Sequence, residues 1–204
     1  MTDNKYQISE TKGQLLGIAD SALAKIAASG ALGAVSVNKS QTDELTLESG
    51  EFSLLRTTYN SSLSLRALIP EGERGNRKGS YSTNSLDASA VETAVGAAIA
   101  AARSSEPDTA EIIAPGFGER DFEADYVPLD LDKLYTNITE FLADAARDFP
   151  KVKILQLIAK YNSGASLLAN SNGTRGFITY GYYSLSIEYS GRDGDNTTGF
   201  GYTG

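Results

Sequence analysis

Leu63-Ser64-Leu65 and Leu185-Ser186-Ile187 are the two stretches of sequence that decide how this chain is folded. The offset that aligns them also places Gly79 on Gly201. Around each stretch the same elements follow in the same order: an amphipathic helix, two strands joined by a turn, and a long hairpin with a Gly-rich loop. Because the two copies share few identical residues, their common order and spacing carry the prediction of an internal repeat.

The repeat predicts one domain over the whole chain. The first copy continues into a further helix after its last strand, whereas the second copy stops at Gly204, where its last strand should finish. We therefore expect the sequence to be truncated before a C-terminal domain. The predicted boundaries are 1–204 for the domain, 11–103 for repeat one, 104–129 for a connector and 130–204 for repeat two.

Hydrophobic periodicity predicts the elements of each copy. Apolar residues spaced three and four apart indicate helices over 14–28, 88–103 and 130–148. Alternating apolar and polar residues indicate half-buried antiparallel strands, and turn residues over 40–43, 49–50 and 71–75 separate the first of them. We expect an α+β fold, with two helix-plus-antiparallel-meander repeats packed as layered sheet and helices. Further strands are predicted over 153–161, 166–169, 176–180, 182–190 and 197–203, and 104–128 is expected to be irregular.

Composition removes several kinds of chemistry. The 204 residues include no histidine and no cysteine, which excludes a His- or Cys-ligated zinc or copper site, a Ser-His-Asp triad and a Cys-His dyad built from this chain alone. The net charge of −8 and the scattered basic residues disfavour nucleic-acid binding. Since no apolar run approaches the roughly 18 residues that span a membrane, we expect a cytoplasmic protein without a membrane partner.

The loop of the first long hairpin is a candidate binding site. It brings three cations and two glycines to the mouth of the hairpin, where backbone N–H groups and charge could together bind an anion or a peptide carboxylate. A solvated hairpin would use the same residues. The candidate contacts are Arg74, Asn76, Arg77, Lys78 and Gly79.

Other side chains could also carry chemistry. Asp193-Gly194-Asp195-Asn196-Thr197 alternates oxygen ligands as a calcium loop does, but these residues are equally typical of a tight turn. Paired acids, Glu119 with Asp121 and Glu123 with Asp125, could act as acid and base or simply be solvated. The second copy contains tyrosines that could stack on a sugar or base, although strand propensity also explains them. They are Tyr180, Tyr182, Tyr183, Tyr189 and Tyr202.

Several short motifs occur in a fixed order along the chain. They are Ala34-Val35-Ser36-Val37-Asn38-Lys39, Glu48-Ser49-Gly50-Glu51, Ser64-Leu65-Arg66, Asn76-Arg77-Lys78-Gly79-Ser80, a helix over 88–102, Ser105-Glu106-Pro107-Asp108 and Asn170-Ser171-Asn172-Gly173. Taken together they resemble the N-terminal domain of TldD/PmbA proteins, and the Asn76 to Ser80 motif resembles PmbA (also called TldE) more than TldD.

This resemblance implies a two-subunit cytoplasmic metalloprotease system that trims unfolded peptides, including microcin precursors and an antitoxin. An older name for the family is modulator of DNA gyrase. In the family the zinc-binding His-Glu-x-x-x-His helix lies in TldD, C-terminal to the domain found here, so no catalytic residue is carried over. Zinc is expected in the partner subunit or in a missing C-terminal part, and the chain alone does not decide whether the protein is an enzyme.

We expect the domain to act as a scaffold whose exposed strand edges pair with an extended peptide by strand addition. The expected partners are a homologous TldD-type subunit or a second copy, together with unfolded peptide substrate. Asn170, Asn172, Tyr180 and Tyr182 complete the predicted peptide or interface contacts. The alternative function is a stand-alone module that binds carbohydrate or peptide and has no enzymatic role.

Overall fold

A computed structural model describes residues 3–204, without the side chains of 3–10 and 123–125. Helices and antiparallel strands both occur, which confirms the α+β class. In chain order the elements are α1 (Asp3–Ala28), β1 (Leu32–Glu48), β2 (Glu51–Pro70), a 3-10 turn (Gly72–Arg74), β3 (Asn76–Thr83), α2 (Ala88–Ser104), β4 (Pro107–Asp108), β5 (Glu119–Tyr126), α3 (Leu131–Asp148), β6 (Val152–Asn170), β7 (Arg175–Asp193), β8 (Asn196–Thr197) and β9 (Gly201–Thr203).

The strands are hydrogen-bonded in the order β4-β3-β2-β1-β6-β7-β5, and β8 and β9 also pair with β7. β2 and β3 form the predicted hairpin, with an antiparallel register that runs from Leu63 opposite Thr83 to Pro70 opposite Asn76. The predicted turn between β1 and β2 is also present. Its two residues, Ser49 and Gly50, have φ of 53° and 86°, a conformation that glycine adopts without strain.

The long strands correct the sequence prediction. The turn predicted over 40–43 is wrong, because β1 continues through these residues, and β6 and β7 each join two strands that were predicted separately. Polar side chains that favour turns are satisfied here across the sheet. Thr42 donates to the Asn162 side chain at 3.1 Å, and Thr57 donates to the Asp43 carboxylate at 2.6 Å. The predicted irregular connector likewise contains two strands, β4 and β5, over their full lengths.

The chain divides into two compact units, and β1, β2, β5, β6 and β7 contribute residues to both. The division into repeats and a connector remains a prediction. Unit 1 comprises the residues up to Ser40, Tyr59–Ala124 and Gly164–Thr179, and unit 2 comprises Gln41–Thr58, Asp125–Ser163 and Tyr180–Gly204.

The core of unit 1 lies between the sheet and two helices. α1 buries the predicted apolar stripe, including Leu15, Leu23 and Ile26. α2 packs closely on β3, because a Cβ at Gly79 would lie 1.9 Å from the Ala98 carbonyl oxygen. The small buried residues of α2 permit this approach. They are Ala94, Ala98 and Ala102.

The core of unit 2 is smaller. Ile138 of α3 is buried with Leu45, Leu47, Leu157 and Ala159 of the strands. Other residues of the predicted α3 stripe remain accessible: Leu131 and Phe141 are about two-fifths exposed. Part of the apolar face of α3 is therefore uncovered. Among the helices of the described residues, none is long and apolar enough to cross a membrane.

Candidate functional site

The first half of β2 presents an open strand edge in unit 2. β3 pairs with β2 from Leu63 to Pro70, whereas the other neighbour of β2 in the sheet is β1. In the part of the chain that the structure describes, no strand pairs with the outer edge of Glu51–Thr58. Every side chain of this segment is exposed. A row of free backbone N–H and C=O groups along such an edge can accept another strand.

The strand segment with this open edge carries aromatic and aliphatic side chains. Phe52 stacks on Tyr135 of α3, with ring centroids 4.6 Å apart and ring planes 23° apart. Leu54 and Leu55 point to opposite faces of the strand because successive side chains alternate. Leu55 is 65% exposed. Both faces could therefore contact the side chains of an added strand.

A buried carboxylate on the neighbouring strand β1 forms ion pairs that connect three strands of unit 2. Glu44 of β1 contacts Arg56 of β2 at 2.9 Å and Lys160 of β6 at 3.1 Å. Burial raises the pKa of Glu44, but the hydrogen bonds from Lys160 and Arg56 outweigh this effect and lower the pKa below its usual 4.5. The ion pairs thus join β1 to β2 and to β6, on the side of β2 away from its open edge.

The basic hairpin of unit 1 is compensated by carboxylates. Arg74 and Arg77 both pair with Glu71, Arg74 at 3.1 Å. Lys78 and Arg66 both pair with Glu111, and Asn76 donates to the Glu111 carbonyl oxygen at 2.6 Å. The hydrogen bond from Arg77 lowers the pKa of Glu71. These contacts therefore attach the hairpin to the segment around Glu111, which follows α2. A ligand role for the basic residues remains a prediction.

The two asparagines of the turn after β6 bind the backbone of their own chain. Asn170 donates to the Ala114 carbonyl oxygen at 3.1 Å, and Asn172 donates to the carbonyl oxygens of Ile113 and Ala114 at 3.1 and 3.0 Å. Residues 109–118, here called the strap, contain no helix or strand. The side-chain amides of this turn thus provide the backbone hydrogen bonds that the strap would otherwise lack. A role in binding a separate peptide remains a prediction.

The predicted tyrosines lie in unit 2 and belong to two groups. Tyr180 and Tyr182 face each other with ring centroids 6.1 Å apart. Tyr183 packs on Tyr161, and its hydroxyl donates to the Pro128 carbonyl oxygen and accepts from Asp130 N–H. Burial raises the pKa of Tyr161. Tyr183 is thus structural, whereas Tyr182, Tyr189 and Tyr202 have exposed rings.

The acidic candidates have structural partners. Glu119 and Asp121 both pair with Lys12 in unit 1, at 3.0 and 2.6 Å, and the hydrogen bond to Asp121 raises the pKa of Lys12. In unit 2 the Asp193 loop is a tight turn, because Arg192 pairs with Thr197 and Gly194 has φ of 61°. The side chains of Glu123 and Asp125 lie outside the described residues.

Zinc does not fit the residues present. The sequence offers no histidine or cysteine ligand. Among the described residues, no group of three or more acidic side chains lies close enough together to hold a metal ion. No catalytic step can therefore be derived from a metal bound to these residues.

Residues 33–102 match the family model described as PmbA/TldA metallopeptidase domain 1. Three crystal structures have a similar fold. TldE from Thermococcus kodakarensis has a TM-score of 0.70 and 19% identity over 84% of this chain and 39% of that chain. A proposed modulator of DNA gyrase from Thermotoga maritima has a TM-score of 0.70 and 16% identity over 91% and 41%. A second one, from Bacteroides thetaiotaomicron, has a TM-score of 0.69 and 23% identity over 91% and 43%.

At these identities the three structures show the fold alone. The chain spans about two-fifths of the length of each of them. No curated protein matches the sequence.

Proposed function

We propose, from the confirmed resemblance of this chain to the TldD/PmbA family, that it is the N-terminal scaffold and peptide-cleft domain of a metalloprotease subunit. In this proposal the domain captures unfolded peptides in the cytoplasm for proteolysis. Because the match is to a metallopeptidase domain and the sequence provides no histidine or cysteine ligand for zinc, the proposal assigns the hydrolytic site to another part of the complex. The subunit is of the PmbA/TldE type and pairs with a zinc-bearing homologue of the TldD type.

The open edge of Glu51–Thr58 is the observation that carries the peptide-binding role. Strand addition uses main-chain hydrogen bonds, which every peptide can form, so it suits capture of unfolded chains of diverse sequence. The exposed apolar side chains on both faces of the segment add contacts with little sequence preference. An edge that stayed uncovered would be an aggregation hazard, so a dedicated occupant is expected.

A stand-alone binding module is the second candidate. Exposed rings at Tyr182, Tyr189 and Tyr202 favour it, because tyrosine rings can stack on sugars. Titration with a panel of oligosaccharides discriminates the two proposals. Saturable sugar binding that is lost in Tyr182→Ala would support the module, and binding of unfolded peptide alone would support the protease scaffold.

Adjacent proline substitutions test strand addition at β2. Backbone N–H groups of successive residues point to opposite edges of a strand. One of the two variants Leu54→Pro and Leu55→Pro therefore removes an N–H group from the open edge, and the other removes a hydrogen bond to β1. We expect the open-edge variant to lose most binding of a labelled unfolded peptide, measured by fluorescence anisotropy, while it stays folded. The other variant should be destabilised.

Leu54→Ala and Leu55→Ala are the matched controls, because they remove the side chains and keep both N–H groups. They should bind the unfolded peptide within about threefold of the original protein. Unchanged peptide binding in both folded proline variants would exclude β2 as the peptide site.

A further inference from the structure

The open segment of β2, Glu51–Thr58, has its more apolar face on the side of α3. Phe52 stacks on Tyr135 of α3, so its side chain points toward the helix. Leu54 points the same way, because side chains two residues apart in a strand share a face. Ser53 points to the opposite face. A peptide strand added to this edge would therefore meet two large apolar side chains on its α3 side.

Helix α3 adds further uncovered apolar surface to this side. Tyr135 is half exposed although it stacks on Phe52, and Leu131, one helical turn earlier on the same side of α3, is also exposed. A strand added to β2 would lie about 4.8 Å away, with the Cβ atoms of directly opposite residues about 5 Å apart. Large side chains of the added strand are long enough to reach Phe52, Leu54 and Tyr135, and their burial would favour binding.

Two carboxylates lie at the start of the open segment. Glu48 and Glu51 flank Ser49-Gly50, and the positive φ of both turn residues is that of a two-residue hairpin turn. Such a turn places Glu48 and Glu51 directly opposite each other, where like charges repel. Both side chains are exposed, and no ion pair with either of them occurs in the part of the chain that the structure describes. A lysine or arginine of the added strand would reduce this repulsion.

We propose that the open edge of β2 prefers extended peptide segments with two large apolar residues two positions apart and a lysine or arginine at the end beside the β1–β2 turn. The apolar pair packs on Phe52, Leu54 and Tyr135, and the basic residue faces Glu48 and Glu51. This inference rests on the proposed function and names the class of peptide that the site takes. Main-chain pairing still admits other peptides, which bind more weakly.

Two isomeric peptides test the apolar preference. Each has about ten residues, enough to span Glu51–Thr58, with two phenylalanines in a serine and threonine background. A lysine at each end serves a parallel and an antiparallel strand alike. In the first peptide the phenylalanines are two positions apart and share one face of the strand, whereas in the second they are three apart and lie on opposite faces. We expect the first peptide to bind about fivefold more tightly in fluorescence anisotropy.

Substitutions on α3 locate the apolar contact. Tyr135→Ala should reduce the preference for the first peptide to below about twofold, because it removes the exposed ring from the α3 side. Leu131→Ala should reduce the preference less, and it keeps the test valid if circular dichroism shows that Tyr135→Ala is unfolded. Phe200→Ala removes an exposed ring from the loop before β9. It is the matched control and should leave the preference at about fivefold.

Charge reversal tests the basic end of the peptide. A version of the first peptide with glutamate at each end should bind about threefold more weakly than the lysine version. Glu51→Lys should reduce this difference to below about twofold. Asp195→Lys changes the net charge equally, in the exposed turn between β7 and β8, and should leave the difference unchanged. A difference that Glu51→Lys does not alter would contradict the role of the two carboxylates.

The outcomes separate this preference from the proposed function on which it rests. Equal binding of the two isomers, together with loss of binding in the open-edge proline variant, would overturn the preference and leave strand addition standing. A preference that both Tyr135→Ala and Leu131→Ala retain would also overturn it, because the rings would then bind elsewhere. Binding of no peptide, or binding that both folded proline variants retain, would overturn the proposed function and the preference together.

Discussion

At the scale of single residues, the buried carboxylate of Glu44 determines how unit 2 responds to acid. Because the pKa of Glu44 is lowered in the folded protein, its contribution to stability is fully present above the unfolded value near 4.5. This contribution is lost as the pH falls from about 4.5 through the folded pKa.

We expect Glu44→Gln to lower the free energy of unfolding by about 1–3 kcal/mol at pH 7, because two cations lose the carboxylate that they share. The variant should also lose part of the decline in stability below pH 4.5. Urea denaturation at several pH values measures both effects. Glu48→Gln, an exposed change on the same strand, should alter stability by less than about 0.5 kcal/mol. Equal losses in the two variants would contradict the role of Glu44.

Asn170 stabilises the strap through hydrogen bonds, as Glu44 stabilises unit 2 through ion pairs. Asn170→Ala removes the donor to Ala114 and leaves the N–H groups of Asn172 and Thr174 without their side-chain acceptor. We expect a loss of about 2 kcal/mol and faster chymotrypsin cleavage after Phe117, which is exposed in the strap. The measurements are urea denaturation and timed proteolysis. Asn196→Ala in the β7–β8 turn is the control, and an unchanged cleavage rate in Asn170→Ala would contradict the anchoring role.

Single-residue chemistry was only partly predictable. The sequence shows that Arg74, Arg77 and Lys78 are clustered, but it cannot show that Glu71 and Glu111 neutralise them, because Glu111 is distant in sequence from the hairpin. The buried state of Glu44 was not predicted either. It follows from a pairing across three strands, which no local pattern encodes.

At the scale of elements, helix prediction succeeded and strand length did not. The 3.6-residue period identified all three helices that the described residues contain, with α2 and α3 within about one residue of their predicted ends. Turn-forming residues at 40–43 misled the prediction because the side chains of Thr42 and Asp43 form hydrogen bonds with residues of the neighbouring strands β6 and β2. The same long-range bonds make β1 and β6 continuous.

The packing of α2 on β3 can be tested with two glycines. Gly79→Ala should destabilise the protein by about 2–3 kcal/mol, because the new Cβ meets the α2 backbone, which cannot move aside without losing its packing. Gly96→Ala is the matched control. No atom outside the helix lies within 4 Å of its Cβ position, so it should stabilise the protein by about 0.5–1 kcal/mol through helix propensity. Thermal or urea unfolding that ranks the two variants in the opposite order would contradict this packing.

At the scale of the whole molecule, the order of the helices and the long strands was predicted, but β4, β5 and the two compact units were not. The units are discontinuous in sequence, because β1, β2, β6 and β7 are long enough to contribute to both. Short predicted strands cannot give such units. The open edge of β2 could not be predicted from the sequence either, because Glu51–Thr58 alternates apolar and polar residues as an ordinary strand does. The edge is open because β3 is too short to pair with this segment.

Native mass spectrometry of the full-length gene product, alone and mixed with the proposed TldD-type partner, tests the central claim most directly. The spectrum reports the mass of each assembly and the zinc bound to each subunit. We expect a zinc-free subunit that forms a complex with a zinc-bearing partner. Zinc bound within this subunit, or the absence of any complex with the TldD-type protein, would contradict the proposed role as a non-catalytic scaffold.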